Sequence, residues 1–461
     1  MKRLWIVLAS LALMAVFAMP ASAVDVKLSG EFYVAGDYYN RTSPNKGYGD
    51  ASTAFFHQRL RVQTEFIVSP GLSLVTRFDA LEKIWGDTSW GGTRGNSYGR
   101  PSSGGGDDRA AENIEFHHAY IQYASKVGNF TVGYGEWNPW GTTFGDSYDA
   151  DAMIRWVLPL QNFFVGALYV KGYEGSTTYK TPGLNRNDND SNLYAIFGGY
   201  TTDRINTGMK VAYMRDASLK GTVVKPGPPP VYGHETNGWL LTPYFIGQFG
   251  PVKLQAELEY FRGRTEYDDD WKRTQLRALS AYTEATVDLG PVYFGGLFAY
   301  ASGIDAAKAP DLSGGGGGKF TGSTSGKAWG GLDFQPTLIL WNDNVCRWAG
   351  GSITWTGYGM TNAKLFQMYI GAPVKDFDFK LALAYARADE KNTYNWYVAN
   401  PRGSSYGWEL DATATYKITN NLSYMIGAGY LWTGDFFRAK DIPGSKTRNI
   451  YVITNKLTLN F

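Results

Sequence analysis

The sequence predicts an all-β chain: a transmembrane antiparallel β-barrel of about 18 strands, with short turns at one end and long loops at the other. Three observations predict it. Past residue 23 no apolar run approaches the roughly 20 residues that a membrane-spanning helix needs. Alternating segments of about 10–15 residues are joined in turn by tight turns and by long polar loops, the layout of a barrel hairpin series. The chain also ends on an alternating strand, Asn449 to Phe461, with Tyr451, Ile453, Leu457, Leu459 and Phe461 on one face and Thr454, Lys456, Thr458 and Asn460 on the other. Such a strand can close a sheet on its first strand and leave no edge. Counts of 16 and 20 stay open, because 332–355 contains strand-like runs such as Thr337 to Trp341.

The amino terminus carries Lys2 and Arg3, an apolar run from Leu4 to Met19, and Ala21-Ser22-Ala23. A basic region, an apolar region and an A-x-A site make a secretory signal peptide. Residues 1–23 are therefore expected to be removed, leaving 24–461 as one barrel domain, with no Cys after the cleavage site to carry a lipid. Composition agrees with a barrel: 32 Tyr, 15 Trp and 56 Gly are many, and mean hydropathy is −0.29 because the strands average out as polar. A net charge of +2 gives no nucleic-acid footprint. A single Cys346 excludes a disulfide framework and a cysteine metal cluster.

Taken in order, strands are expected at Val24 to Asn40, Phe55 to Val68, Leu72 to Trp85, Glu112 to Val127, Phe130 to Trp137 and Asp151 to Leu158. The next are Phe163 to Gly172, Leu193 to Thr201, Gly208 to Asp216, Trp239 to Phe249 and Val252 to Arg262. Leu276 to Leu289, Val292 to Ser302, Leu365 to Val374, Phe379 to Arg387, Trp408 to Lys417, Leu422 to Trp432 and the terminal strand complete the set. Ser69-Pro70-Gly71, Gly250-Pro251 and Gly290-Pro291 are tight turns, expected on the periplasmic side. Loops 86–111 and 304–361 are expected outside. Tyr38, Tyr39, Phe55, Phe56, Trp85, Trp137, Trp239, Trp408 and Trp432 gather where strands meet loops, as an aromatic girdle does.

Charge has a consistent side. His57, Arg59, Arg61, Gln63 and Glu65 alternate with Leu60, Val62, Thr64 and Phe66. An arginine facing lipid at mid-depth costs ~2–4 kcal/mol, so the charged face points inwards. Lys253, Gln255, Glu257 and Glu259 repeat the pattern, as do Ser280, Tyr282, Glu284, Thr286 and Asp288, and Glu409, Asp411, Thr413 and Lys417. So polar an interior predicts a hydrated lumen rather than a dry core, since unpaired buried charge is severely penalised.

Four stretches are similar to a known group: Val24 to Gly30, Gln58-Arg-Leu-Arg61, His118 to Gln122, and the terminal strand ending in Phe461. In them the chain resembles the homotrimeric outer-membrane porins of sulfate-reducing and related bacteria. The likeness covers the whole layout and is specific in the first third. It implies a water-filled barrel in the outer membrane of a Gram-negative bacterium, in contact with its lipid and lipopolysaccharide. It also implies three copies to an assembly and a third external loop folded inside as a constriction. Phe461 resembles the terminal residue by which the barrel-assembly machinery recognises such chains. Passive diffusion of small hydrophilic solutes and ions then follows, with no catalysis and no cofactor.

In this chain the third loop, 137–151, carries Asp146, Asp149 and Asp151, with Glu136 just before it, while Arg59, Arg61 and Arg77 lie on the second and third strands. Acids facing a basic wall set a field across a pore. The alternative is that the loop acids are solvated and the arginines pair along the wall with Glu65, Asp79 or Glu115. Rival functions are a substrate-specific channel, a barrel sheath around an electron-transfer conduit (the chain has no Cys-x-x-Cys-His of its own), and a barrel phospholipase. Other chemistry is weak. Gly314 to Gly318 before Lys319 lacks phosphate-loop spacing. His117 and His118 are adjacent and so expected on opposite faces. Asp107-Asp108 and Asp268 to Asp270 are loop tips that could take Ca²⁺. The topology is testable: an epitope tag at Gly316 is reached by antibody on intact cells and one at Gly250 is not, and surface labelling of the Gly250 tag would overturn it.

Overall fold

The computed structural model describes residues 24–46, 51–86, 114–146, 150–175, 189–220, 223–225, 231–267, 274–303, 318–319, 334–345, 348, 360–391, 401–440 and 444–461. Among them eighteen long strands run Asp25–Tyr39 (β1), Thr53–Ser69 (β2), Leu72–Ile84 (β3), Ile114–Ser125 (β4), Gly128–Glu136 (β5), Ala150–Leu160 (β6), Phe163–Tyr173 (β7), Ser191–Thr201 (β8) and Ile205–Asp216 (β9). They continue as His234–Phe249 (β10), Val252–Tyr267 (β11), Thr274–Asp288 (β12), Tyr293–Ala301 (β13), Ala363–Val374 (β14), Phe377–Ala388 (β15), Ser405–Lys417 (β16), Leu422–Thr433 (β17) and Ile450–Asn460 (β18). Each pairs antiparallel with the next, and β18 pairs with β1, Asn460 against Glu31 through Val452 against Tyr39. The ring is closed. Gly30 and Phe461 exchange both backbone hydrogen bonds at its end (2.8 and 3.0 Å). The strand-like run at Thr337 to Trp341 is not a strand, which decides the count.

Connections of two to four residues join β2–β3, β4–β5, β6–β7, β8–β9, β10–β11, β12–β13, β14–β15 and β16–β17. The longer ones lie at the opposite end, and both termini of the barrel lie at the turn end. Gly250 (φ 60°) takes the left-handed backbone that the β10–β11 turn requires. In the long connections, Val223–Lys225 and Val231–Tyr232 make a small hairpin, and Gly318–Lys319 pairs beside β12.

The two faces separate as alternation requires. Outside are Ile196, Met368, Ile370, Ile453 and Leu459, all exposed, the belt expected of a wall in lipid. Tyr38, Phe56, Trp85, Trp239, Trp408 and Trp432 are also exposed at strand ends. Tyr39, Phe55 and Trp137, by contrast, do not belong to the outer girdle. Tyr39 and Phe55 are buried inside, as the strand period dictates for neighbours of Tyr38 and Phe56, and Trp137 packs against an inner cluster.

The interior departs from the wholly wet lumen that strand alternation predicts. At the loop end the inner faces are apolar and buried. Tyr39, Phe55, Leu365, Tyr406, Leu431, Ile450 and Val452 pack with Phe144, Phe334, Ile339, Leu340 and Trp341 from the connections. A second cluster joins Met153, Leu168, Val170, Leu193, Met214, Leu240 and Phe261 on β6 to β11. Inward charge persists at this end at Asp37 and His57, which are buried and lie 3.1 Å apart.

Candidate functional site

Among the described residues two connections fold back into the barrel, each held by a carboxylate on the wall. The first, 137–146, follows β5. Its turn residues, Asn138-Pro139, Gly141, Thr142 and Gly145, allow a tight fold around one acceptor. Glu257 of β11 accepts hydrogen bonds from the Thr142 N–H (2.7 Å), the Thr142 hydroxyl (2.6 Å) and the Gly145 N–H (3.2 Å). A Cβ at Gly141 or Gly145 would collide with that carboxylate, so glycine is what lets the backbone approach. Asn138 donates to the Gly145 carbonyl (3.1 Å) and accepts from the buried Lys210 ammonium of β9. The Trp140 indole donates to the Thr242 carbonyl (2.9 Å) and packs on Phe164, Phe197 and Tyr244.

The second inserted segment is 334–345, with Trp348. Consecutive backbone N–H groups of Leu338, Ile339 and Leu340 donate to Asp411 (3.1 Å) and to the two oxygens of Glu409 (2.6 and 2.9 Å), both on β16. Glu409 is fully buried, so these bonds stand in for the water it has lost. Gln367 of β14 donates to the Pro336 carbonyl (2.8 Å). At the far end Asn344 reaches Asp37 of β1 (3.4 Å), and Trp348 stacks on His57 of β2 with centroids 4.5 Å apart. The segment thus lies across the inner wall from β14 to β2. The two insertions meet at three rings. Phe144 stacks on Tyr282 of β12 at 5.5 Å, and Phe334 meets both edge-on, at 5.3 and 5.4 Å.

The arginine row is inward, as its strand face predicts. The Arg61 guanidinium binds Asp79 through two bonds of 2.7 Å. Arg59 pairs with Glu31 (3.2 Å) and lies 3.9 Å from Asp79. Arg77 lies 3.8 Å from Glu136. Their side chains keep 16, 24 and 12% exposure for Arg59, Arg61 and Arg77. Arg59 and Lys456 of β18 both approach the Tyr33 ring, at 5.1 and 4.3 Å from its centroid. Asp146 is exposed at the end of the first insertion, and Asp151 accepts from the Trp137 indole (3.2 Å). Asp149 lies outside the described residues, as do Cys346, Asp107-Asp108, Asp268 to Asp270 and Gly314 to Gly317. In a ring of eighteen strands, β11 lies half-way round from β2. The segment clamped by Glu257 therefore faces the wall that carries Arg59 and Arg61.

His117 and His118 correct the sequence expectation that they point to opposite faces. A register shift between Arg77 and Phe78 places a bulge opposite them in β4. Two residues then oppose one, and both rings turn inwards. His117 lies 3.3 Å from Asp79, and His118 is buried beside Tyr120. The clamp residues Glu257, Glu409 and Asp411 were legible only as inward-facing, and Lys210 was not singled out. The doublets Glu257-x-Glu259 and Glu409-x-Asp411 were the available signal that two positions hold more acid than a wall needs.

Fold and lumen together define the class: a closed membrane barrel with an apolar outer belt, a charged inner wall and inserted loops. Solved structures of that class share its fold. A variant of OccD1 (OprD) superposes with a TM-score of 0.50 at 10% identity, over 96% of this chain and 98% of that one. OccK2 (OpdF) of Pseudomonas aeruginosa gives 0.50 at 11% identity, over 95% and 98%. A BenF-like porin from Pseudomonas fluorescens Pf-5 gives 0.49 at 10%, over 94% and 99%. No family model and no curated protein matches the chain.

Removing the Glu257 carboxylate leaves the Thr142 and Gly145 amides without their acceptor, which costs ~1–3 kcal/mol per buried group. Glu257→Ala is expected to speed hydrogen exchange at both amides at least about tenfold, and Gly145→Ala, which pushes on the same carboxylate, to do likewise. Glu409→Ala is expected to do so at Ile339 and Leu340 only. Unchanged exchange in these variants would mean that the insertions are held by packing alone.

Proposed function

We propose that the protein is an outer-membrane porin of a Gram-negative bacterium, exported by a cleaved signal peptide over residues 1–23, through which small hydrophilic solutes and ions diffuse passively. The observation that carries this reading is the partly exposed arginine row on β2 and β3, across the lumen from the segment that Glu257 clamps. Charge kept partly exposed inside an apolar belt serves ions and polar solutes in transit, because a sealed interior penalises it. In this reading the loop end faces outwards and the turns face the periplasm. The assembly is a homotrimer, as the resemblance to the porins of sulfate-reducing bacteria implies, and the terminal strand ending in Phe461 engages the barrel-assembly machinery.

The arginine row and the acids Glu136, Asp146, Asp149 and Asp151 form the constriction in this reading. Both rows act on an ion passing within a Debye length, ~8 Å at physiological salt. Neutralising Arg59, Arg61 and Arg77 to Gln shifts the reversal potential under a KCl gradient towards cation selectivity. Asp146→Asn with Asp149→Asn shifts it towards anions, and both shifts shrink near 1 M salt, where screening falls to ~3 Å. An unaltered potential in both sets, with a folded barrel, rejects the constriction.

A substrate-specific channel is the second reading, favoured by the dry apolar packing at the loop end, which fills lumen that a general pore leaves open. Saturable block of the conductance by one solute marks it. The assembly has its own test. A trimer migrates as one high-mass band in detergent until heated; a chain that runs as a monomer at every temperature and forms no crosslinks is not one.

A further inference from the structure

The outer surface of β9 to β12 breaks the pattern of the lipid belt at one level. Register partners there form horizontal rows. Val211, Leu241, Tyr260 and Leu279 make an apolar row. The next row towards the loop end is Tyr213, Trp239, Arg262 and Arg277. Above it lie Arg215, Asn237, Arg264 and Gln275, and then Glu235 opposite Glu266. Trp239 and Tyr213 are in ring contact at 5.1 Å, and Trp239 is 59% exposed, so this row is at girdle height, where headgroups begin.

Arg262 and Arg277 are directly opposite each other on adjacent strands, and both are exposed. Like charges in direct cross-strand register destabilise a sheet. The acids above do not relieve them. Glu235 is held by Arg215 (2.9 Å) and Lys220 (2.8 Å), and Glu266 by Arg264 (3.0 Å). Among the described residues no carboxylate pairs with Arg262 or Arg277. Two guanidinium groups with no carboxylate partner among the described residues therefore flank one spot, with aromatic rings beside them and an apolar row beneath. That is a fork for a phosphate whose acyl chains run down the wall.

We propose that Arg262 and Arg277 bind the phosphate of a phosphorylated glycolipid of the outer leaflet, seated on Trp239 and Tyr260. The proposal rests on the reading of the chain as an outer-membrane barrel with its loop end outwards. It does not depend on what the lumen conducts.

The test is native mass spectrometry of the full barrel released from nanodiscs of phosphatidylcholine containing bisphosphorylated lipid A. The wild-type barrel retains the lipid. Arg262→Gln with Arg277→Gln weakens retention of the lipid about thirtyfold, given roughly 1 kcal/mol for each of the two basic residues at a charged lipid surface. Arg387→Gln, on β15, leaves it unchanged. Fully dephosphorylated lipid A, presented to the unmutated barrel, is retained as poorly as bisphosphorylated lipid A is by the double variant. Equal retention of the two lipids by the wild-type barrel, or equal retention by the double variant and the Arg387→Gln control, overturns the proposal. Displacement of the lipid by millimolar inorganic phosphate also overturns it, by making the fork a site for the free anion. A failure here with normal conductance refutes the lipid site alone, whereas a Gly250 tag labelled from outside refutes the orientation it stands on.

Discussion

In a hydrocarbon layer every backbone N–H and C=O must find its partner within the protein. For this chain that requirement rests on one seam. The first and last strands, more than four hundred residues apart in sequence, pair from Glu31 against Asn460 to Tyr39 against Val452. Without that pairing, β1 and β18 would each present an open edge to lipid, and no local interaction along the chain could compensate. The seam is secured at its turn end by Gly30, whose missing side chain makes room for the Phe461 ring and whose backbone bonds the last residue in both directions. The alternation of the terminal strand, its final aromatic residue and the glycine opposite are thus one device seen from two ends of the sequence.

The same rule explains the lumen. A connection that leaves the sheet and enters a confined interior takes its amides away from bulk water and from any ladder. The two insertions solve this in one way: a wall carboxylate accepts several amide protons at once, Glu257 at Thr142 and Gly145, Glu409 with Asp411 at Leu338 to Leu340. A charge buried without partners is among the most unfavourable things a fold can contain, and each orphaned amide adds a smaller penalty of its own. Placed together they offset one another.

How much of this was legible follows from the range of each signal. Strand alternation is local, so the eighteen strands, the turn end and the inward arginines could be read from runs of ten residues. The girdle was read too broadly at Tyr39 and Phe55 because strand-end position, not face, was the criterion. The bulge that turns both His117 and His118 inwards depends on how β3 pairs with β4, which no property of the dipeptide reports. The run Thr337 to Trp341 has strand-like composition, yet its amides go to Glu409 and Asp411, some seventy residues away in sequence. Likewise, the acids of β11 and β16 read as lumen lining because sequence shows which face they take and not what comes to meet them. The clamp is a non-local fact on both sides.

The two clamps are also not independent. Phe144, four residues along the first insertion from Trp140, closes against Phe334 of the second, and both close against Tyr282, one strand from Glu257. The rings are almost entirely buried, so parting them exposes apolar area at about 25 cal/mol per Å². An insertion that moved alone would have to leave that contact as well as its carboxylate. The wall from β7 round through β16 to β1 is thereby lined by the two joined insertions, with Trp348 reaching His57 at the loop end of β2. Against it stand Arg59 and Arg61 on β2 and Arg77 on β3, each tied to a wall acid yet still partly exposed. The carboxylates hold these guanidinium groups in fixed positions on the inner wall. In the proposed reading the barrel wall supplies the charge, and the clamped connections set how closely a solute must approach it.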